Sequence, residues 1–180
     1  GGTSGQGCLT DIESQPCGTL YRVFPQHQDG VVVLDLPWCG GGQAGTALFM
    51  VDLDHFKAFN DHWGHQAGDA CLRAVAEVMR HSASRHGGLA ARFGGEEFVV
   101  FLRADDATQA HAIAEELRVA IERIEIDHPA SATTVSCTTS IGIALHKGPN
   151  VPELADMLAR ADAALYRAKA EGRNRSLMAA

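Results

Sequence analysis

The stretch Arg92-Phe93-Gly94-Gly95-Glu96-Glu97-Phe98 constrains this chain more than any other. It reads as a β-hairpin, with Leu89 to Arg92 as one strand and Phe98 to Leu102 as the next. Two adjacent glycines relieve the crowding of a tight turn and let phosphates approach bare backbone. Two acidic side chains directly after the turn repel each other unless a cation sits between them or water covers both. A solvated turn with surface glutamates is the ordinary reading of Gly-Gly-Glu-Glu taken alone. A second acidic stretch upstream, Val51-Asp52-Leu53-Asp54, argues for more.

Ala47-Leu48-Phe49-Met50-Val51-Asp52-Leu53 is a nearly continuous apolar run, the pattern of a strand covered on both faces. Asp52 lies inside it, where a carboxylate is expensive to desolvate without a partner. Asp54 shares a face with Asp52 while the strand lasts. Hard divalent cations such as Mg²⁺ take oxygen ligands, usually one or two carboxylates plus substrate phosphates. Asp52 with Glu96 and Glu97 supplies such a set if the two strands pair. The ordinary alternative is an edge strand with wet aspartates.

The remaining segments alternate strands with helices, so the expected class is α/β, one sheet with helices packed over it. Leu20 to Phe24 and Val31 to Leu36 are strand-like, and nothing between Cys17 and Gly42 has a helical period. The glycine- and serine-rich start, Gly1 to Gly7, is expected to be disordered, and Gly40-Gly41-Gly42 reads as a linker. Phe56 to Trp63 is expected to form a short helix with a turn near Gly64. A longer helix is expected from Asp69, its N-cap or first turn, with Leu72, Val75, Ala76 and Met79 inward. Asp105 and Asp106 open a helix that buries Ile113, Leu117, Ile121 and Ile124. Val135 to Leu145 reads as a strand or hairpin arm. Pro152 starts the last helix, whose stripe is Leu154, Leu158, Ala161 and Leu165, and Gly172 ends it.

A length of 180 residues fits one domain with an appended segment. A net charge of −7 argues against a broad nucleic-acid surface. No apolar run is long enough to cross a membrane and no signal peptide is visible, so a cytoplasmic setting is expected. Cys8, Cys17, Cys39, Cys71 and Cys137 are odd in number and widely spaced, which reads as reduced thiols. His62 and His65 are the best-spaced histidines, but no cysteine or second pair joins them to make a zinc site.

Asp52-Leu53-Asp54-His55-Phe56-Lys57, Asn60-Asp61, Gly64-His65, Gly68-Asp69 and Gly94-Gly95-Glu96-Glu97-Phe98 occur in that order. Together they resemble the GGDEF family of diguanylate cyclases. Ala164-Leu165-Tyr166-Arg167-Ala168-Lys169 with Gly172-Arg173-Asn174 resembles that family's closing helix. The likeness runs from about Ala47 to Ser176. It divides the chain into an atypical segment with a Gly-rich linker, 1–42, and a GGDEF catalytic domain, 43–180. The family's usual opening, a Leu-Thr-Gly-Leu-x-Asn-Arg stretch leading into a long helix, has only a faint echo in Leu9-Thr10-Asp11-Ile12.

The resemblance implies a ferredoxin-like core related to nucleotidyl cyclases and polymerase palms, with a mainly antiparallel central sheet. It implies synthesis of cyclic di-GMP from two GTP with release of pyrophosphate, at the interface of a homodimer. Asp52 and Glu96 would hold Mg²⁺ or Mn²⁺, with the Leu53 carbonyl and Glu97 helping, and Glu96 or Glu97 would also take the hydroxyl proton. Asn60 and Asp69 correspond to guanine readers, and they disfavour a cyclase that uses ATP. Lys57, Lys169 and Arg173 correspond to triphosphate contacts, Gly94 and Gly95 to the space left for phosphates, and His65 to a position of unassigned role. A product-binding inhibitory motif, Arg-x-x-Asp, would fall on Arg85-His86-Gly87-Gly88, where the aspartate is replaced by Gly88. The alternative function is a catalytically impaired module that binds GTP as a regulatory domain. No nucleic acid or membrane contact is expected of this segment, which reads as the cytoplasmic part of a larger signalling protein.

Overall fold

The computed structural model describes residues 18–25, 31–38, 45–127, 134–148 and 153–180. Gly1 to Gly7, the Leu9 to Ile12 stretch, Gly40 to Gly42 and Pro152 lie outside the described residues. Strands β1 (Gly18–Pro25) and β2 (Val31–Trp38) pair antiparallel, with Leu20 opposite Leu36 and Phe24 opposite Val32. Both run slightly beyond the stretches expected from apolar content.

The remaining elements begin with β3 (Gly45–Leu53), α1 (Phe56–Trp63) and α2 (His65–Arg85). The hairpin β4 (Leu89–Arg92) and β5 (Glu97–Ala104) follows, then α3 (Ala107–Glu122). Short strands β6 (Ile126–Asp127) and β7 (Thr134–Val135) pair with each other. The chain closes with β8 (Thr139–His146), α4 (Leu154–Ala170) and β9 (Ser176–Met178). The main sheet has the order β4-β5-β3-β8-β9, antiparallel except for the β8–β9 edge. Strand, helix, two strands, helix, strand, with the first and third strands central, is the ferredoxin-like arrangement.

β3 is therefore a central strand and not an edge, and all of its residues are buried. Its side chains alternate between two layers. Ala47, Phe49, Val51 and Leu53 join Leu72, Val75 and Met79 of α2 and Ile113, Leu117 and Ile121 of α3. Leu48 and Met50 join Val99 and Phe101 of β5 and Leu154, Met157, Ala161 and Leu165 of α4. Asp52 has the parity of Leu48 and Met50, so it belongs to the α4 face.

The structure corrects two expected boundaries. The long helix begins at His65, not Asp69, because Gly64 alone joins α1 to α2 at φ 84°. Asp69 thus lies in the second turn of α2, exposed, and caps nothing. The stretch from Val135 to Leu145 is not one strand. It breaks between β7 and β8, where the Thr138 carbonyl accepts the Asp54 N–H at 2.9 Å and the Thr138 hydroxyl donates to the Asp54 carboxylate at 2.8 Å. The start of α3 agrees with the sequence, since the Asp106 carboxylate accepts the Gln109 N–H at 2.8 Å. Cys71 and Cys137, far apart in sequence, meet in the core as free thiols with Sγ atoms 3.3 Å apart.

α4 lies close on β8 because Gly142 has no side chain. A Cβ there would stand 2.0 Å from the Ala161 carbonyl oxygen and 2.3 Å from the Leu165 nitrogen, both backbone atoms. Gly142→Ala is expected to destabilise the domain by about 1–3 kcal/mol, the usual range for overpacking a tight interface. Denaturant titration measures this, and an unchanged midpoint would show that α4 can shift freely.

Candidate active site

The turn between β4 and β5 is tied by its own backbone and by one side chain. The Phe93 and Gly94 N–H groups both donate to the Glu97 carbonyl, at 2.8 and 3.1 Å. The Arg92 guanidinium donates to the carbonyls of Gly94 and Gly95. Gly94 leaves room for a carboxylate: a Cβ there would lie 2.7 Å from Glu97 Oε2. Gly95 faces open space. Leu53 N–H donates to the Glu96 carbonyl at 3.3 Å, which extends the β3–β5 ladder into the turn.

That ladder sets Asp52 directly opposite Glu97. Glu97 has the same strand parity as Val99 and Phe101, so both carboxylates belong to the α4 face. There Lys169, in the last turn of α4, reaches Asp52 Oδ2 at 2.8 Å. Burial pushes the Asp52 carboxyl above its ordinary range, and the Lys169 ammonium only partly offsets this. Arg173 lies near enough to favour the Asp52 charge, whereas Asp54 opposes it. Burial raises the Glu97 carboxyl as well, and the charge of Asp52 raises it further.

One ammonium therefore faces two crowded carboxylates. An all-oxygen donor set with excess negative charge fits a hard divalent cation such as Mg²⁺ or Mn²⁺. Among the described residues, no group of three His, Cys, Asp or Glu side chains closes around such an ion. The protein thus offers two carboxylates, and Glu96 stays half-buried in the turn without joining them in register. An ion held this way needs further oxygens from a ligand's phosphates or from water.

A second group of residues sits between α1 and α2. The Asn60 side chain packs against Gly68, where a Cβ would lie 1.8 Å from Asn60 Oδ1. Asn60 Oδ1 is buried without a hydrogen-bond partner among the described residues. An orphaned buried acceptor is costly unless a ligand brings the missing donor. Asp69 follows Gly68 and lines an open groove of about 240 Å³. Leu72, Arg73, Arg92 and Phe98 line it too. Residue pattern alone assigns no site role to Leu72, Arg73 or Arg92. Leu72 has the spacing of an ordinary core residue, and the bracing action of Arg92 depends on the folded turn.

Lys57 and His65 are exposed on the first turns of α1 and α2. Arg85 lies away from both groups, 3.9 Å from Glu116, on a cavity of about 400 Å³ between α2 and α3. Gly88 is a packing glycine: a Cβ there would stand 2.0 Å from the Phe101 carbonyl oxygen. No aspartate fits at position 88 without moving β5. Among the described residues, no helix is long and apolar enough to cross a membrane.

A family model described as the diguanylate cyclase GGDEF domain matches residues 40–175. Diguanylate cyclase A of Treponema denticola is 40% identical over 129 residues, covering 72% of this chain and 34% of that protein. Diguanylate cyclase DgcM of Escherichia coli is 40% identical over 133 residues, covering 74% of this chain and 30% of that protein. The chain thus spans about a third of the length of these curated relatives. The GGDEF domain of DgcB from Caulobacter crescentus, solved in complex with c-di-GMP, superposes with a TM-score of 0.68 at 37% identity. That match covers 76% of this chain and 78% of the other. The active GGEEF domain of a diguanylate cyclase from Vibrio cholerae gives a TM-score of 0.64 at 30% identity, covering 76% of this chain and 83% of the other.

The crowded carboxylates have a consequence for stability. A carboxyl whose folded pKa lies above its unfolded value binds protons better in the native state. Its contribution to stability is therefore lost as pH rises from the unfolded value, near 4 to 4.5, through the raised folded one. Glu97→Gln is expected to raise the melting temperature of the ligand-free domain at pH 7, with the gain shrinking as pH falls toward 4. Thermal unfolding across this range checks it, and a lower melting temperature at pH 7 would contradict the assigned repulsion.

Proposed function

Because the chain belongs to the GGDEF domain family of diguanylate cyclases, we propose that it condenses two GTP molecules into cyclic di-GMP and releases two pyrophosphates. The observation that carries this reading is the pair Asp52 and Glu97, opposed in register behind a Gly-Gly turn. Each 3′-hydroxyl attacks the α-phosphate of the other nucleotide, so two chains must face each other, each supplying one GTP.

Asp52 and Glu97, with the Leu53 carbonyl and Glu96 beside them, would hold Mg²⁺ or Mn²⁺. When bound, such an ion neutralises triphosphate charge and lowers the pKa of the attacking hydroxyl. Lys169 and Arg173 bind phosphate oxygens, Lys169 as a point charge and Arg173 through its two-pronged guanidinium. Lys57 adds a further cation on α1. Lys169 exchanges its contact with Asp52 for the triphosphate when the nucleotide arrives. Gly95, with open space beside it, admits the phosphates to the turn. Glu96 or Glu97 takes the proton of the attacking hydroxyl, and the raised proton affinity of Glu97 suits it to that step.

Asn60 and Asp69 read the base. Guanine carries N1–H and a 2-amino group on one edge, and adenine does not present that pair of donors. The orphaned Asn60 Oδ1 is an acceptor awaiting one, and the Asp69 carboxylate takes the other. A base that lacks these donors leaves both acceptors unpaired. His65, exposed at the start of α2, is assigned to the nucleotide side of the site with no specific contact.

Incubation with GTP and Mg²⁺ is expected to yield cyclic di-GMP. Turnover is expected to rise faster than linearly with protein at low concentration, and ATP is expected to give no product. Asp69→Ala is expected to weaken GTP binding about tenfold, the loss of one charged hydrogen bond, and to narrow the preference over ATP. GTP binding without product would identify the regulatory alternative. Equal affinity for GTP and ATP in the unmodified protein would contradict the base-reading roles.

A further inference from the structure

Asp54 has no part in the mechanism above, yet it is buried and fully engaged. Its carboxylate accepts from the Ser140 hydroxyl at 2.7 Å, from the Thr138 hydroxyl at 2.8 Å and from the Asn174 backbone N–H at 3.0 Å. The third bond spans 120 residues and ties the end of β3 to the turn that follows α4.

That turn needs a tie. α4 closes in a Schellman cap, with the Arg173 N–H donating to the Ala168 carbonyl at 3.0 Å and Gly172 at φ 116°. The next two residues, Arg173 and Asn174, are also left-handed, at φ 60° and 47°. Side chains disfavour this conformation, and two in succession persist only where surrounding contacts impose it. Asn174 is fixed at both ends. Its amide oxygen accepts from Arg118 at 2.7 Å and its amide nitrogen donates to Glu122 at 2.9 Å, both on α3. Its backbone N–H is held by Asp54. Arg173 is then left with its charge felt at Asp52.

We propose that Asp54 is a positioning residue for nucleotide phosphates: by pinning the Asn174 N–H, it holds the left-handed turn that presents the Arg173 guanidinium beside Asp52. This rests on the phosphate-binding role of Arg173 given above. An aspartate is suited to the position because it accepts from one rigid N–H and two hydroxyls at once. An asparagine of the same size loses part of that acceptor capacity.

Two measurements on Asp54→Asn test the pin. Trypsin cuts after arginine, and a released turn exposes the Arg173–Asn174 bond. Cleavage after Arg173 is expected to accelerate about tenfold or more under native conditions, while cleavage after Arg80 on α2 keeps its rate. Calorimetry of GTP binding to Asp54→Asn, Arg173→Ala and the double variant forms a cycle. Each single change is expected to weaken binding about tenfold, with the double variant no weaker than Arg173→Ala. Unchanged cleavage after Arg173, or losses that simply multiply in the double variant, would overturn the proposal. Failure of the unmodified protein to bind GTP would defeat the phosphate role of Arg173 and with it this proposal. That outcome is separable, because the cleavage measurement uses no nucleotide.

Discussion

The site depends on a carboxylate buried at the end of a fully covered central strand. β3 packs helices on both faces, so Asp52 has little water with which to share its charge. Lys169 answers it at 2.8 Å, yet desolvation still outweighs that contact. The sheet then sets Glu97 opposite and adds a second negative charge. A sequence selected for stability alone would not oppose two carboxylates over a half-covered ammonium. That opposition of charge is the ground for the proposed cation site.

The geometry follows from strand parity and one glycine. Asp52 faces α4 because Leu48 and Met50 do, and α4 comes within reach because Gly142 lets it rest on β8. Lys169 and the turn carrying Arg173 are thereby delivered to one end of the sheet. The residues proposed to read the base come from the opposite layer, where Gly68 makes room for Asn60 and α2 runs on to Asp69. A nucleotide bridging the two groups would touch the sheet's end from both layers, with the Gly-Gly turn between them.

Local pattern made much of this legible. The apolar run of β3, the paired strands around Gly94-Gly95, the bounds of α1 and the end of α4 at Gly172 all follow from spacing and turn residues. The choice between Glu96 and Glu97 as partner of Asp52 was not legible, because a slip of one residue reverses every side chain and only the folded register fixes it. The start of α2 at His65 differs from the expected Asp69 because Gly64 acts as a joint and not as a loop. The break before β8 and the pinning of Asn174 depend on Asp54 bonding to Thr138, 84 positions away, and to Asn174, 120 positions away. Nothing in a local window carries such contacts. Gly88 looked like a lost aspartate, whereas its neighbours show a position where β5 leaves no space for any side chain.

Asp52 and Glu97 are proposed to form an incomplete cation site which a metal-bound triphosphate completes. Calorimetric binding of 3′-deoxy-GTP, which cannot condense, tests it most directly when measured with Mn²⁺ and again with the metal chelated. The unmodified protein is predicted to bind the metal complex at least about tenfold more tightly, and Asp52→Asn to erase that difference. An equal preference for the metal complex in the Asp52→Asn protein would rule out Asp52 as part of a cation site.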